Sequence, residues 1–139
     1  MMEGISARDI AVSGLRAQRT RMNIIANNIA NAMSPTTGKG GAFRRQMAIL
    51  AGESIRAGIA PDKLGVRVDK VVADHSPLRR VFEPGSPFAD ADGYVKYPNV
   101  DLSVEMVDLV SAQRAYEANV AVVLSGKRMT QKALEIIQV

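Results

Sequence analysis

The sequence has no cysteine, and its 139 residues include a single histidine, His75. The first absence excludes structural disulfides and thiolate chemistry, and lets the chain work in a reducing or an oxidising compartment without mispairing. The second excludes a histidine-based metal cluster or proton relay within one chain. His75 lies in the turn-like stretch Asp74-His75-Ser76-Pro77, and because adjacent side chains point apart these residues form no catalytic triad. Proline is missing from both flanks, since all six prolines fall between Pro35 and Pro98. Aromatic residues are scarce, and five of the six (Phe43, Phe82, Phe88, Tyr94 and Tyr97) occupy the same middle stretch. No long apolar run is present: Ala118 to Gly126 falls far short of the ~20 residues a spanning helix needs, so membrane insertion is not expected. Arg8 and Asp9 interrupt the only early apolar stretch, which leaves no secretory signal pattern.

What the flanks do contain is an apolar spacing of alternating four and three. Ala11, Leu15, Gln18, Met22, Ile25 and Ile29 follow it in the first flank. Leu102, Met106, Leu109, Gln113, Tyr116, Val120, Val123, Lys127, Thr130, Leu134 and Ile137 follow it in the last. Each series predicts a long helix with one seam. Polar Gln18, Gln113, Lys127 and Thr130 within the seams suit register or partner selection better than maximal stability. Ordering two such helices carries a large backbone-entropy cost that a single intramolecular seam supports poorly. Neighbouring chains are therefore expected to supply further burial, and the isolated subunit to be loose at its ends.

Ser6 and Asp9 have the spacing of a capping box, with Ile5 and Ile10 placed as a hydrophobic staple. A first helix is predicted from Ala7 to about Ala32, where Ser34 before Pro35 forces a turn. Its end is rich in amides: Asn23, Asn27, Asn28 and Asn31 fall within nine residues although each is a poor helix former. Asn23, Asn27 and Asn31 share a face and could bond to another subunit; a fraying, solvated helix end is the alternative. Asn99 or Asp101 can cap a second helix from about Leu102 to Ile137. Glu105 and Asp108 near its start, and Lys127, Arg128 and Lys132 near its end, match the helix macrodipole. Gly126 is its weakest interior point.

Between the flanks, short candidate strands run over Phe43–Leu50, Gly65–Asp74, Leu78–Phe82 and Tyr94–Tyr97. Gly52 to Pro61 reads as a loop and Thr36 to Gly41 as another, the latter lacking the spacing of a phosphate loop. These features predict an α+β chain in three parts: residues 1–33 helical, 34–98 a small mainly antiparallel β module, and 99–139 a long helix. Asp90-x-Asp92-Gly93 lacks the remaining ligand positions of a calcium loop and is expected to build a tight turn instead.

The net charge of +4 is unevenly spread: from Ala7 to Ala32 four arginines face one acid, whereas from Asp101 onward five acids face four bases. Complementary flanks of this kind argue against a generic polyanion binder. Arg16, Arg19 and Arg21 form the only basic cluster in the first flank, with no zinc ligands, aromatic RNA-binding motif or long basic run beside them, so no nucleic-acid partner is expected. No set of acids, bases or nucleophiles has recognisable catalytic spacing. No enzyme activity, small-molecule substrate, cofactor or metal is expected.

Three stretches carry a resemblance. Ser13-Gly14-Leu15-Arg16-Ala17-Gln18 followed by Met22-Asn23-Ile24-Ile25-Ala26-Asn27-Asn28-Ile29-Ala30-Asn31-Ala32 resembles the N-terminal motif shared by the rod and hook axial proteins of the bacterial flagellum. Glu105-Met106-Val107, continuing through Ala112-Gln113-Arg114-Ala115-Tyr116-Glu117-Ala118-Asn119, resembles the C-terminal counterpart. Asp90-Ala91-Asp92-Gly93-Tyr94-Val95-Lys96-Tyr97-Pro98-Asn99-Val100-Asp101 is similar to the stretch that marks the C-type proximal rod subunits. Ile29 replaces a usual Leu, Phe43 a usual Tyr, and the loop from Met33 to Ala42 differs more. The resemblance implies that the terminal helices pair antiparallel in a coiled-coil-like arrangement and pack with neighbours through the seam residues and the motif amides Asn23, Asn27, Asn28, Asn31 and Asn119. It also implies uncleaved export through the flagellar type III apparatus and assembly in the periplasm. The implied partners are the chain itself, other rod proteins, and MS-ring or export-gate components, in a structure that carries torque.

Overall fold

The computed structural model describes residues 6–36, 41–54 and 64–137. The elements follow in the order α1 (Ala7–Asn31), β1 (Gln46–Ser54), β2 (Leu64–Ala73), β3 (Arg79–Phe82), β4 (Tyr94–Tyr97) and α2 (Leu102–Ile137). The capping box forms as its spacing predicts: the Ser6 hydroxyl accepts from the Arg8 amide at 3.1 Å, and the Asp9 carboxylate accepts from the Ser6 amide at 3.2 Å. At the far end the Ser34 N–H donates to the Asn31 carbonyl, and the chain turns away before Pro35. Asp101, rather than Asn99, caps α2, its carboxylate accepting from the Ser103 and Val104 amides. At 1.5 Å per residue, the 25 residues of α1 span about 37 Å and the 36 of α2 about 54 Å.

The β module consists of two separate two-stranded antiparallel sheets, β1–β2 and β3–β4. In the first, Gln46 pairs with Ala73 and Ser54 with Leu64, and the register shifts between Ile49 and Leu50. Strand β1 therefore begins later than Phe43 and continues through Gly52–Ser54, which composition alone assigned to a loop. Ladder bonds to residues 64–66 outweigh the weak strand preference of Gly and Glu there. The rest of that expected loop, and most of the one from Thr36 to Gly41, lie outside the described residues.

The interior is thin. Ala11, Ala17, Ile25 and Ala32 of the first segment, with Val95, Pro98, Val100 and Ala112, are its buried apolar side chains among those described. Helix α1 lies between α2 and the β1–β2 hairpin, which is tied to it where the Val66 N–H donates to the Ser13 hydroxyl at 3.0 Å.

In β3–β4, Val81 and Val95 share one face and Val95 is completely buried, while Phe82 and Tyr94 meet edge to face on the other at 5.2 Å. The turn leading into β4 is built by Asp90, whose Oδ1 accepts from the Tyr94 and Asp92 amides at 2.9 and 3.1 Å and whose Oδ2 meets Arg80 at 3.3 Å. Gly93 completes it at a φ of 80°, with the Phe82 ring only 3.0 Å from where a Cβ would stand. The Tyr94 N–H bond, helped by the Asp92 amide and Arg80, holds the Asp90 carboxyl below its ordinary value of 3.8. A depressed carboxyl stabilises the fold above its unfolded value and loses that contribution as pH falls through the folded one. The Tyr94 amide is therefore expected to lose protection as pH drops below 3.8, and Asp90→Asn to flatten that dependence. Amide exchange measured against pH checks both.

Candidate assembly surface

The densest polar cluster joins the end of α1, the start of β1 and the start of α2. The Asn28 side chain is fully buried and treats Gln46 as a strand neighbour would: its Oδ1 accepts from the Gln46 N–H at 2.9 Å and its Nδ2 donates to the Gln46 carbonyl at 2.8 Å. The same Nδ2 donates to Glu105 Oε2 at 3.0 Å. Glu105, also completely buried, takes a short bond from Arg45 Nε on its other oxygen. Arg45 Nη2 continues to Asp108 at 3.2 Å, and Arg21 reaches the other Asp108 oxygen at 3.5 Å. Behind Arg45, Asn99 accepts from its backbone N–H and donates to the carbonyls of Asp74 and Ser76. A buried carboxylate is tolerable only with its charge paired and its lone pairs bonded, and both conditions are met here.

Farther along the pair, Gly14 faces Asn119. A Cβ on Gly14 would stand 2.9 Å from both the Oδ1 and the Nδ2 of that side chain, whose amide donates to the Ala115 carbonyl. Gly14 against Asn119 and Asn28 against Glu105 together set an antiparallel register that brings Ala7 beside Gly126 and leaves the last turns of α2 beyond the start of α1.

The residues of the predicted seams divide accordingly. Ala11 and Ile25 are buried; Leu15, Gln18, Met22 and Ile29 are half-buried, as are Leu102, Leu109, Tyr116, Val120 and Val123 across from them. Gln18 Oε1 is enclosed without a hydrogen-bond partner among the described residues, a cost that an apolar residue would not carry. Met106, Gln113, Lys127, Thr130, Leu134 and Ile137 are exposed and do not enter the pair. The buried residues of α1 are Ala11, Gly14, Ala17, Ile25 and Asn28, with Ala32 just past its end, so small residues that let elements approach closely stand beside the predicted Ala11 and Ile25.

Among the amides, Asn28 is the buried one, Asn31 and Asn119 are half-buried, and Asn23 and Asn27 are exposed. Asn31 donates to the carbonyl and side chain of Asn27, and Asn27 donates to Gln46 at 3.4 Å, so two of the three residues on the shared amide face bond within the chain. Of the arginine cluster, Arg21 is turned to Asp108 while Arg16 and Arg19 are exposed. Sequence reasoning assigned Glu105 to the helix macrodipole and gave Arg45 no role. The available signal was an acid flanked by Val104, Met106 and Val107 near the start of α2, four residues after Asp101.

Much of α2 has no cover within the chain. Val104, Met106, Val107 and Val110 at its start are 49–70% exposed, and Met129, Leu134, Ile136 and Ile137 at its end 54–78% exposed. Among the described residues no helix is long and apolar enough to cross a membrane.

Two family models match the chain: one described as flagella basal body rod protein over residues 9–38, the other as flagellar basal body rod FlgEFG protein C-terminal over residues 91–136. Over its length the chain is similar to flagellar basal-body rod protein FlgC of Borreliella burgdorferi, with 43% identity covering 96% of this chain and 97% of the relative. It is 42% identical to the protein of that name from Salmonella typhimurium, covering 94% and 95% of the two chains. Identity to the Bacillus subtilis counterpart is 39%, covering 97% and 99%.

Proposed function

The chain belongs to the FlgC family of flagellar basal-body rod proteins and is a structural subunit of the proximal rod, from which we propose that it polymerises through its terminal helices into a tubular shaft that transmits torque from motor to hook. Its place is the flagellar basal body, among the other components of that assembly, and its role is structural rather than catalytic.

The observation that carries the packing reading is the exposed apolar surface of α2. A helix that is apolar on more than one side is normally buried on more than one side, and exposed apolar patches of this kind mark interaction sites. The thin core adds support, because alanines on the inner stripe leave little burial to hold the pair without neighbours. In this reading Met106, Gln113, Leu134 and Ile137, which stand outside the intramolecular pair, meet adjacent subunits, and so does the exposed amide of Asn23. The partners are further copies and other rod proteins, with MS-ring or export-gate components at the base. Subunits pass uncleaved through the flagellar type III export apparatus and assemble in the periplasm, a route suited to a chain whose helices gain much of their burial on arrival.

Val107→Asp and Ile136→Asp test the reading, since their side chains are 70% and 77% exposed and neither supports the single chain. Far-UV dichroism and melting temperature are expected to stay as in the parent, while rod assembly and swimming are lost. Assembled, motile basal bodies from both variants would show that this surface is not used.

A further inference from the structure

The β3–β4 hairpin stands apart from the rest of the chain. Among the described residues no backbone of another strand or helix runs beside it, and a two-stranded sheet alone is only marginally stable in water. Its outer face carries an aromatic cluster: Phe82, 60% exposed, meets Tyr94 edge to face, and the Arg80 guanidinium lies over the Tyr94 ring at 4.6 Å. The chain leaves for this arm after Ser76 and returns from it at Asn99. There the Asn99 Nδ2 donates to Ser76 Oγ at 2.8 Å and to the carbonyls of Asp74 and Ser76 at 3.0 and 3.3 Å, while its Oδ1 accepts from the Arg45 N–H at 2.9 Å. Arg44 Nη1 donates to the Ser76 carbonyl at 3.0 Å, and the Asp74 N–H donates to the Arg45 carbonyl at 2.7 Å. None of these residues belongs to α1 or α2, so these bonds join the two hairpins without help from either helix. The arm's other ties run to the segment after α1, from the Thr36 N–H and hydroxyl to the Lys96 carbonyl and from Arg79 to the Met33 sulfur.

We propose that Asn99 is a positioning residue: its amide closes the base of the β3–β4 arm and fastens it to the start of β1, and so fixes the angle at which the aromatic face meets a neighbouring subunit. One side chain thus joins the entry to β1, the exit from β2 and the passage from β4 to α2. An amide supplies both the acceptor for the Arg45 N–H and the donors for the 74–76 turn. A carboxylate there would face the carbonyl oxygens of Asp74 and Ser76, and an apolar residue would leave donor and acceptors alike without it. Thr36 and Met33 hold one edge of the arm, whereas Asn99 holds its root. The role in the rod rests on the subunit packing proposed above; the angle itself is a property of the single chain.

The distance between the two hairpins is the readout. Because the chain has no cysteine, thiols introduced at Lys70 in β2 and Gly85 in the β3–β4 turn alone take spin labels; Lys70 is exposed, and a Cβ at Gly85 would meet nothing within 4 Å. The full chain carrying Lys70→Cys and Gly85→Cys is expected to give one narrow distance. Adding Asn99→Leu, of similar size, is expected to raise the population outside that distance at least about tenfold, because the bonds of the amide are lost together. Asn99→Asp, which keeps the acceptor for Arg45 and loses the donors, should fall between the two. Amide exchange within β1–β2 and β3–β4 is expected to stay parent-like in both variants, which separates a released arm from an unfolded one. A broad distribution in the parent, or an unchanged one in Asn99→Leu, would overturn the proposal. Loss of β3–β4 protection in step with the distance would do so too, since Asn99 would then merely support the hairpin's fold. A released arm in cells that swim normally would remove its role in the rod, whereas motile Val107→Asp and Ile136→Asp cells would count against the packing reading alone.

Discussion

Glu105→Ala is expected to lower the unfolding free energy by about 3 kcal/mol, the low end of the cost of breaking a buried ion pair, because Arg45 keeps Asp108 as a partner. Removing the carboxylate leaves a cavity beside Arg45, whose remaining partner is the half-buried Asp108, and takes one of two acceptors from the buried Asn28 amide, so a charge and a donor each lose a bond together. Urea unfolding followed by dichroism gives the difference directly. Glu105→Met, similar in length and without charge, is expected to be as severe while Arg45 remains, and appreciably milder combined with Arg45→Met. Two apolar side chains of matching volume can replace a buried pair, whereas half a pair leaves its charge poorly compensated. Additive losses in that double variant would mean that the two residues act separately.

Gly14→Val should rank second, at about 2–3 kcal/mol, because the helices cannot keep their spacing with a branched side chain between them. A single Cβ already falls 2.9 Å from the Asn119 amide, and turning that amide away breaks its bond to the Ala115 carbonyl. Alanine at the same position tests the balance: it gains about 1 kcal/mol of helix propensity over glycine and gives back part or all of it to the contact. Coupling identifies the cause, since Asn119→Ala should recover most of the loss in the Gly14→Val background while costing little itself. An undiminished Gly14→Val penalty in the double variant would assign the effect to the backbone rather than to Asn119.

Much of the architecture was legible before any coordinates. The Ser6–Asp9 box, the break before Pro35 and the 36-residue reach of α2 depend on neighbours within a few positions along the chain, and each came out where the local chemistry placed it. The Asp90 turn belongs with them, because it is closed by bonds from an aspartate to amides only two and four residues further on. The start of β1 and the strand character of Gly52–Ser54 did not, since pairing with residues 64–66 decides them.

The larger gap concerns which stripe of each helix faces inward. Spacing by four and three drew the α1 seam through Ala11, Leu15, Gln18, Met22, Ile25 and Ile29, all buried or half-buried, but it drew the α2 seam through Met106, Gln113 and the last turns, which are exposed. Helices at close approach also turn glycine and alanine toward each other, as at Gly14 and Ala112, which a count of large apolar residues passes over. Periodicity counts apolarity and is blind to how near two axes come. That a chain without cysteine, catalytic spacing or a spanning segment consists of two long capped helices around a small β module follows from residues that read each other locally. That Asn28, Arg45 and Glu105 close on one another across as many as 77 positions, and that the apolar side of α2 is left open, follows from packing, because a buried charge finds its partner only when the helices have already met.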